Sequence, residues 1–263
     1  MSGTRPAAVA DMFYTGNPAQ LRAEVQSMLA ESQISTTTPK AIIVPHAGYI
    51  YSGTTAANAY AQIIPAKDKI HRVVLLGPCH RVALSGLATS SADFFETPLG
   101  SVPIDHELNH KALQFPQVQE FDQTHAQEHS LEVQLPFLQE ILTNFSLLPL
   151  VVGDASGNEV HEVLESVWGD DETLIVISSD LSHFHDYTTA QQMDSATCRA
   201  IENLDGDHIH YEQACGRNPV LGMLLSARKH NLKVTTLNLC NSGDTAGSKD
   251  KVVGYGAWAF TQH

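Results

Sequence analysis

Short, almost wholly apolar runs recur along the chain, each stopped by Pro, Gly or a polar cluster. Between them lie longer stretches with apolar residues three or four apart. The first pattern predicts strands buried on both faces and the second amphipathic helices. Ala41–Val44, Arg72–Leu76, Leu148–Gly153, Leu174–Ile177, Val234–Leu239 and Val252–Thr261 read as strands. Pro18–Ser32 places Leu21, Val25, Met28 and Leu29 at helical spacing, with Asn17 as cap and Pro18 in the first turn. Further helices are predicted over Thr54–Ile63, His106–Phe115, Ser130–Leu142, Asn158–Trp168, Tyr187–Leu204 and His210–His230, the last interrupted by Gly216 and Pro219. Ser85–Asp105 carries hairpin-like punctuation and reads as an edge or an antiparallel excursion. There is no linker, low-complexity tract or repeat of fixed period. The pattern predicts a single α/β domain over residues 1–263, with a largely parallel central sheet flanked by helices on both faces.

Chemistry gathers where the strands stop. AIIV runs into Pro45, His46 and Gly48, and RVVLL into Gly77-Pro78-Cys79-His80. A parallel sheet collects the carboxyl ends of its strands along one edge, where ligands bind in open α/β folds. Ser178–Asp186 and the loop after Leu239 occupy the same topological place, so a convergent metal or acid/base site is expected. Asp180 and His183 are three apart, and a helical turn there would put them on one face, the carboxylate orienting the imidazole. The alternative is that Asp180 caps that turn.

Three local motifs are weaker. His125–His129 spells H-x-x-E-H, the inverted zinc-peptidase signature. If the helix starts near His129 or Ser130, as Pro136 suggests, His125 falls in the preceding loop and the two-histidine face is lost. Cys79 and His80 are adjacent on an extended segment and point to opposite sides, so Cys79 reads as a small buried filler. The 241–247 stretch NSGDTAG lacks the ending of a phosphate loop and reads as a turn presenting Asp244.

Composition narrows the partners. A formal charge of −14 leaves no basic surface for nucleic acid or for an anionic membrane. Fourteen histidines favour a metal or acid/base site. The four cysteines form no CxxC pair and read as reduced intracellular thiols. The N-terminus shows no secretory pattern and no apolar run suffices for a membrane span, so a soluble, cytoplasmic protein is expected.

VPHAGYIYSG, GPCHR, EHSLEVQLPFLQ, SSDLSHFHDY, CGRNPVLGMLL and NSGDTAG…VVGYGAWAF, in that order from about Pro45 to Phe260, resemble the Memo family. Its microbial members are also called system protein B of the AmmeMemoRadiSam group. The resemblance implies the fold of class III, non-haem iron extradiol dioxygenases, with His46 and His80 as metal ligands and His129, Asp180 and His183 lining the same pocket. The chain departs from the family in its last loop. Animal Memo proteins carry a ligand cysteine where Thr245 stands here, beside Asp244, and Cys240 falls five residues early. Two histidines and a carboxylate suit Fe(II), so Asp244 is the expected third ligand and Fe(II) the expected metal. Zn or Cu, with the Cys240 thiolate in the Zn case, is the alternative. The expected function is a non-haem iron dependent, oxidoreductase-like enzyme acting on a small molecule of unknown identity. The competing reading is a binding or adaptor protein that works with AMMECR-type and radical-SAM partners.

Overall fold

The apolar runs assemble into a nine-stranded mixed sheet in the computed structural model, which describes residues 3–35 and 37–262. Among the described residues the order across the sheet is His183–His185, Val252–Thr261, Ala41–Val44, Thr173–Ser178, Arg72–Pro78, Ser146–Val152, Leu87–Thr89 and Val118–Glu120. Lys233–Asn241 also pairs with Val252–Thr261. The four strands from Ala41–Val44 to Ser146–Val152 are mutually parallel. Antiparallel pairing begins on either side of them, at Val252–Thr261 and at Leu87–Thr89, and Val118–Glu120 then adds to Leu87–Thr89 in parallel at the edge.

Why those four strands are apolar throughout follows from what covers them. Ile42, Val44, Val73, Leu75, Leu174 and Val176 belong to one core, under helices Pro18–Ala30, Tyr49–Tyr60 and Leu135–Ile141. Ala41, Ile43, Val74, Leu76, Ile175 and Ile177 belong to a second core, under Gly157–Ser166, Tyr187–Glu202 and Arg217–Lys229. Alternate residues on a strand point to opposite faces. With both faces covered, neither set can be polar.

The first helix forms as expected, its Asn17 side chain accepting from the amides of Ala19 and Gln20. Three other helices differ from the pattern. Tyr49–Tyr60 starts directly after Gly48, not at Thr54. Gly53 is therefore inside the helix, and a Cβ there would lie 2.6 Å from Met28 Sδ; the glycine permits close packing of two helices and does not mark a turn. The expected Ser130–Leu142 helix is two pieces, His129–Glu132 and Leu135–Ile141, with Pro136 in the first turn of the second. The His210–His230 expectation reduces to Arg217–Lys229, preceded by irregular chain.

Ser85–Asp105 holds the expected hairpin, Phe94–Thr97 against Gly100–Pro103, extended by Thr4–Arg5 into a small separate sheet. Among the described residues no helix is long and apolar enough to cross a membrane.

Candidate metal centre

Three imidazoles meet at the carboxyl edge of the parallel strands. The ring centres of His46 and His80 are 5.2 Å apart, those of His46 and His129 5.3 Å, and those of His80 and His129 4.6 Å with the planes nearly stacked. His46 follows Ala41–Val44, His80 follows Arg72–Pro78, and the strand between them, Thr173–Ser178, supplies Ser178 and Asp180. His129 opens the short helix that lies across the ends of these strands.

The surrounding hydrogen bonds set the tautomers. The Ser178 hydroxyl donates to the Ser130 carbonyl (2.6 Å) and accepts from Gln134 Nε2 (2.9 Å). Gln134 is itself oriented, its Oε1 accepting from the Tyr60 hydroxyl and its amide also donating to the Pro45 carbonyl. With its own proton committed, Ser178 Oγ can meet His46 Nδ1 at 2.8 Å only as an acceptor. His46 therefore carries its proton on Nδ1 and presents Nε2 as a lone pair. His80 is held in a similar way: its Nδ1–H donates to Glu128 Oε1 (2.8 Å) while its backbone N–H donates to Oε2, which turns Nε2 to the side away from the carboxylate. A carboxylate on the far nitrogen is the usual support of a metal-binding imidazole.

The third donor here is a thiol, and the sequence reading missed it. Cys215 Sγ lies 3.3 Å from His46 Nε2, and the donor atoms of His46, His80 and Cys215 all fall within 4.8 Å of one another. The segment is held by a reciprocal pair, Cys215 N–H to the Asp180 carbonyl and Asp180 N–H to Cys215 Sγ. Gly216 makes the approach feasible, because a Cβ there would stand 2.6 Å from the Ser178 carbonyl oxygen. The only prior signal was the block CGRNPVLGMLL, and the helical reading of His210–His230 hid it.

His80, Glu128 and His129 form a second group of suitable atoms. Glu128 is already occupied by three N–H donors, two from His80 and one from Ser130, whereas the one hydrogen-bond contact of His46 Nε2 among the described residues is a thiol. We assign the first group as the candidate centre on that accounting.

The other expected site residues are placed as follows. The Asp180 carboxylate accepts the His46 backbone N–H at 2.7 Å, and its second oxygen is 4.0 Å from His46 Nε2. It neither caps a helical turn nor pairs with His183, because residues 179–182 are not helical. His183 starts a short bulged strand in which Phe184 takes a φ of 61°, a rare backbone state for a bulky residue. Its Nδ1–H donates to the Leu181 carbonyl. Asp244 does not join the imidazoles: it accepts from the Tyr187 hydroxyl and the Asn241 N–H. The hairpin that carries it pairs Trp258 with Ile43 and turns only beyond Val252. At about 3.3 Å per residue the loop lies roughly 15 Å past the end of the neighbouring strand. Cys240 rests against Thr55 Oγ1 and belongs to neither group.

The H-x-x-E-H geometry also fails. Asp122–Ala126 and His129–Glu132 are separate helices, with Gln127 and Glu128 non-helical between them. His125 points away, its Nε2–H donating to the Ala88 carbonyl and its ring against Phe95.

Burial governs the charges. It pushes His46 well below the ordinary imidazole value, helped by His80, and His129 down to about 4. It raises the Cys215 thiol, assisted by Asp180, and raises the Asp180 carboxyl. Glu128 moves the other way, to about 2, because the hydrogen bonds from His80 outweigh its desolvation. Burial thus disfavours charge on His46, on His129 and on the Cys215 thiol, and a divalent ion would draw the thiol proton off. His129 Nδ1 is buried without a hydrogen-bond partner, 3.4 Å from Glu128 Oε1. These features fit a metal.

His125 gives a pH dependence independent of the centre. It is 2% exposed, and burial lowers its pKa to about 4. The unfolded chain, with a value near 6.5, binds more protons below that pH. The contribution is therefore complete above pH 6.5 and is lost as pH falls through about 4, on the order of 3 kcal/mol. His125→Gln, which keeps a donor for Ala88, is expected to flatten the pH dependence of the urea midpoint between pH 6.5 and 4. An unchanged slope would exclude a buried neutral His125.

A family model for Memo-like proteins matches residues 5–259. A MEMO1 family protein of Aquifex aeolicus is 37% identical, over 95% of this chain and 97% of its own. Protein MEMO1 of Xenopus laevis is 32% identical, over 98% of both chains. The crystal structure of an uncharacterised Escherichia coli K12 protein shares the fold at 12% identity with a TM-score of 0.51, covering 82% of this chain and 98% of that one. With the family model spanning nearly every element that builds the centre, and relatives matching end to end, the chain belongs to the Memo family.

Proposed function

We propose that the chain is a metal-dependent, oxidoreductase-like enzyme that holds Fe(II) through His46, His80 and Cys215. One observation carries the reading: two imidazoles, each oriented by a hydrogen bond at Nδ1, converge with a thiol beside a third imidazole. Structural metal sites are closed by four protein ligands, whereas three donors leave positions open for substrate. Imidazole and thiolate also suit Zn or Cu; the class III dioxygenase fold implied by the family resemblance favours iron. The metal would supply Lewis acidity and one-electron chemistry.

The protein residues would do the rest. Glu128 and Ser178 orient the two imidazoles, and Asp180 fixes the backbone of His46. His129 is neutral above about pH 4. The Glu128 carboxylate on its Nδ1 side favours the proton there, so Nε2 is the basic nitrogen that takes a proton from a substrate hydroxyl. Phe13, tilted against His129 with ring centres 4.6 Å apart, limits water on that side of the ring.

Reconstitution with Fe(II) without oxygen, followed by metal analysis and oxygen uptake on catechols and other phenols, tests this. About one iron per chain and uptake with at least one phenol are expected. Full iron loading with no uptake on any phenol would remove ring oxygenation, and no binding of Fe, Zn or Cu would remove the metal centre. Glu128→Gln is expected to weaken metal affinity about tenfold to a hundredfold, measured by competition with a chelator.

A further inference from the structure

A cavity of about 230 Å³ opens against Cys215. That is the volume of about eight waters at roughly 30 Å³ each, enough for a small organic molecule. Val82 and Leu84 give it an apolar wall, and Tyr211, Arg217 and Asp154 line the rest.

Arg217 is the unusual member. Arg5, Arg22 and Arg72 each meet a carboxylate. Of the arginines with no carboxylate within 4.0 Å among the described residues, Arg81, Arg199 and Arg228 are exposed and Arg217 alone is half-buried. Its Nε donates to the Ile209 carbonyl at 2.6 Å and its Nη1 reaches Asn218 Oδ1 at 3.4 Å, while Nη2 has no hydrogen-bond partner among the described residues. Tyr211, largely exposed, stacks on the guanidinium with 4.5 Å to the ring centre. The cation is thus fixed in orientation by its Nε bond and the ring, with donors still unused. A half-buried charge that is oriented but unpaired is costly unless a ligand completes it.

We propose that this cavity is the substrate's anchoring subsite and that it takes a single carboxylate on Arg217, placing the rest of a small organic acid toward Cys215 and the candidate centre. A carboxylate matches the planar fork of one guanidinium. A phosphate dianion does not fit as well, because Arg217 is the lone cation of the lining and Asp154 stands in the same cavity. The proposal deepens the reading of the centre as a metal enzyme and rests on it for the direction in which the substrate points.

The test is calorimetric titration of the Co(II)-loaded full chain with benzoate, benzamide and inorganic phosphate, alongside Arg217→Gln and Arg217→Lys. Benzoate is expected to bind wild type at least about tenfold more tightly than isosteric benzamide, from the strength of a charged hydrogen-bond pair. Arg217→Gln should lose that margin and Arg217→Lys keep part of it, with cobalt stoichiometry unchanged in both. Equal affinity for benzoate and benzamide in wild type overturns the proposal without needing any variant to fold. So does absent benzoate binding, undiminished binding in a folded Arg217→Gln, or phosphate binding more tightly than benzoate. If the chain takes no cobalt yet binds benzoate through Arg217, the subsite stands and the metal reading falls.

Discussion

Replacing His80 by alanine is expected to lower metal affinity by about a hundredfold or more while the fold survives. A protein ligand to a transition metal carries a few kcal/mol of the binding free energy, since complete sites reach about 10 to 16 kcal/mol over their ligands. His80 is the cleaner of the two histidines to remove. Its side chain is 28% exposed, and its loss leaves Glu128 with the backbone donors of residues 80 and 130. His46, by contrast, is buried in the Ser178–Gln134 network, so its removal would orphan polar groups as well. Metal analysis and thermal unfolding of His80→Ala side by side separate the two effects. Full metal occupancy in a folded His80→Ala protein would sink the assignment of the centre.

Glu132→Ala is expected to cost the most stability of any single change discussed, about 3 to 5 kcal/mol or more. The carboxylate is wholly buried and gathers four groups of the N-terminal segment. It pairs with Arg5 and accepts from the amides of Ala8 and Val9 and from the Tyr14 hydroxyl. Removing it strands a guanidinium that is 6% exposed and leaves three further donors without their acceptor. Against a typical total of roughly 5 to 15 kcal/mol, that approaches unfolding. Arg5→Met combined with Glu132→Ala should cost less than the two single changes summed, because the stranded charge is gone. Urea denaturation of the four proteins measures the coupling, and a loss below 1 kcal/mol in Glu132→Ala would show that the pair is not structural. The network also reaches the centre: Arg5 donates to the carbonyls of His125 and Glu128, and the segment it anchors carries Phe13 to His129.

The misplaced expectations share one cause. Asp180 and His183 are three apart, but a helical spacing matters only if the chain there is helical, and pairing with Val252–Val253 draws His183 into a strand instead. The family resemblance points to Asp244, the carboxylate next to the ligand cysteine's position in the last loop. Strand register decides how far that loop overshoots, and register is a property of two segments, not one. Cys215 enters the centre from a segment with no strand signal at all. Its reciprocal bonds to Asp180, thirty-five residues upstream, and the bond from Gly216 N–H to Ser179 Oγ bring it there.

By itself, the sequence determined the parallel strands, because doubly covered strands must be apolar on both faces. It determined His46 and His80 as neighbours of the sheet edge, because a strand that stops at Pro or Gly delivers the next residue there. Family membership also lay in the ordered motif blocks. Tertiary structure alone decided which third donor meets those histidines, which nitrogen each presents and which of the arginines without a carboxylate is half-buried. Those outcomes depend on long-range hydrogen bonds and on the desolvation that burial imposes, and neither is encoded in any local stretch of chain.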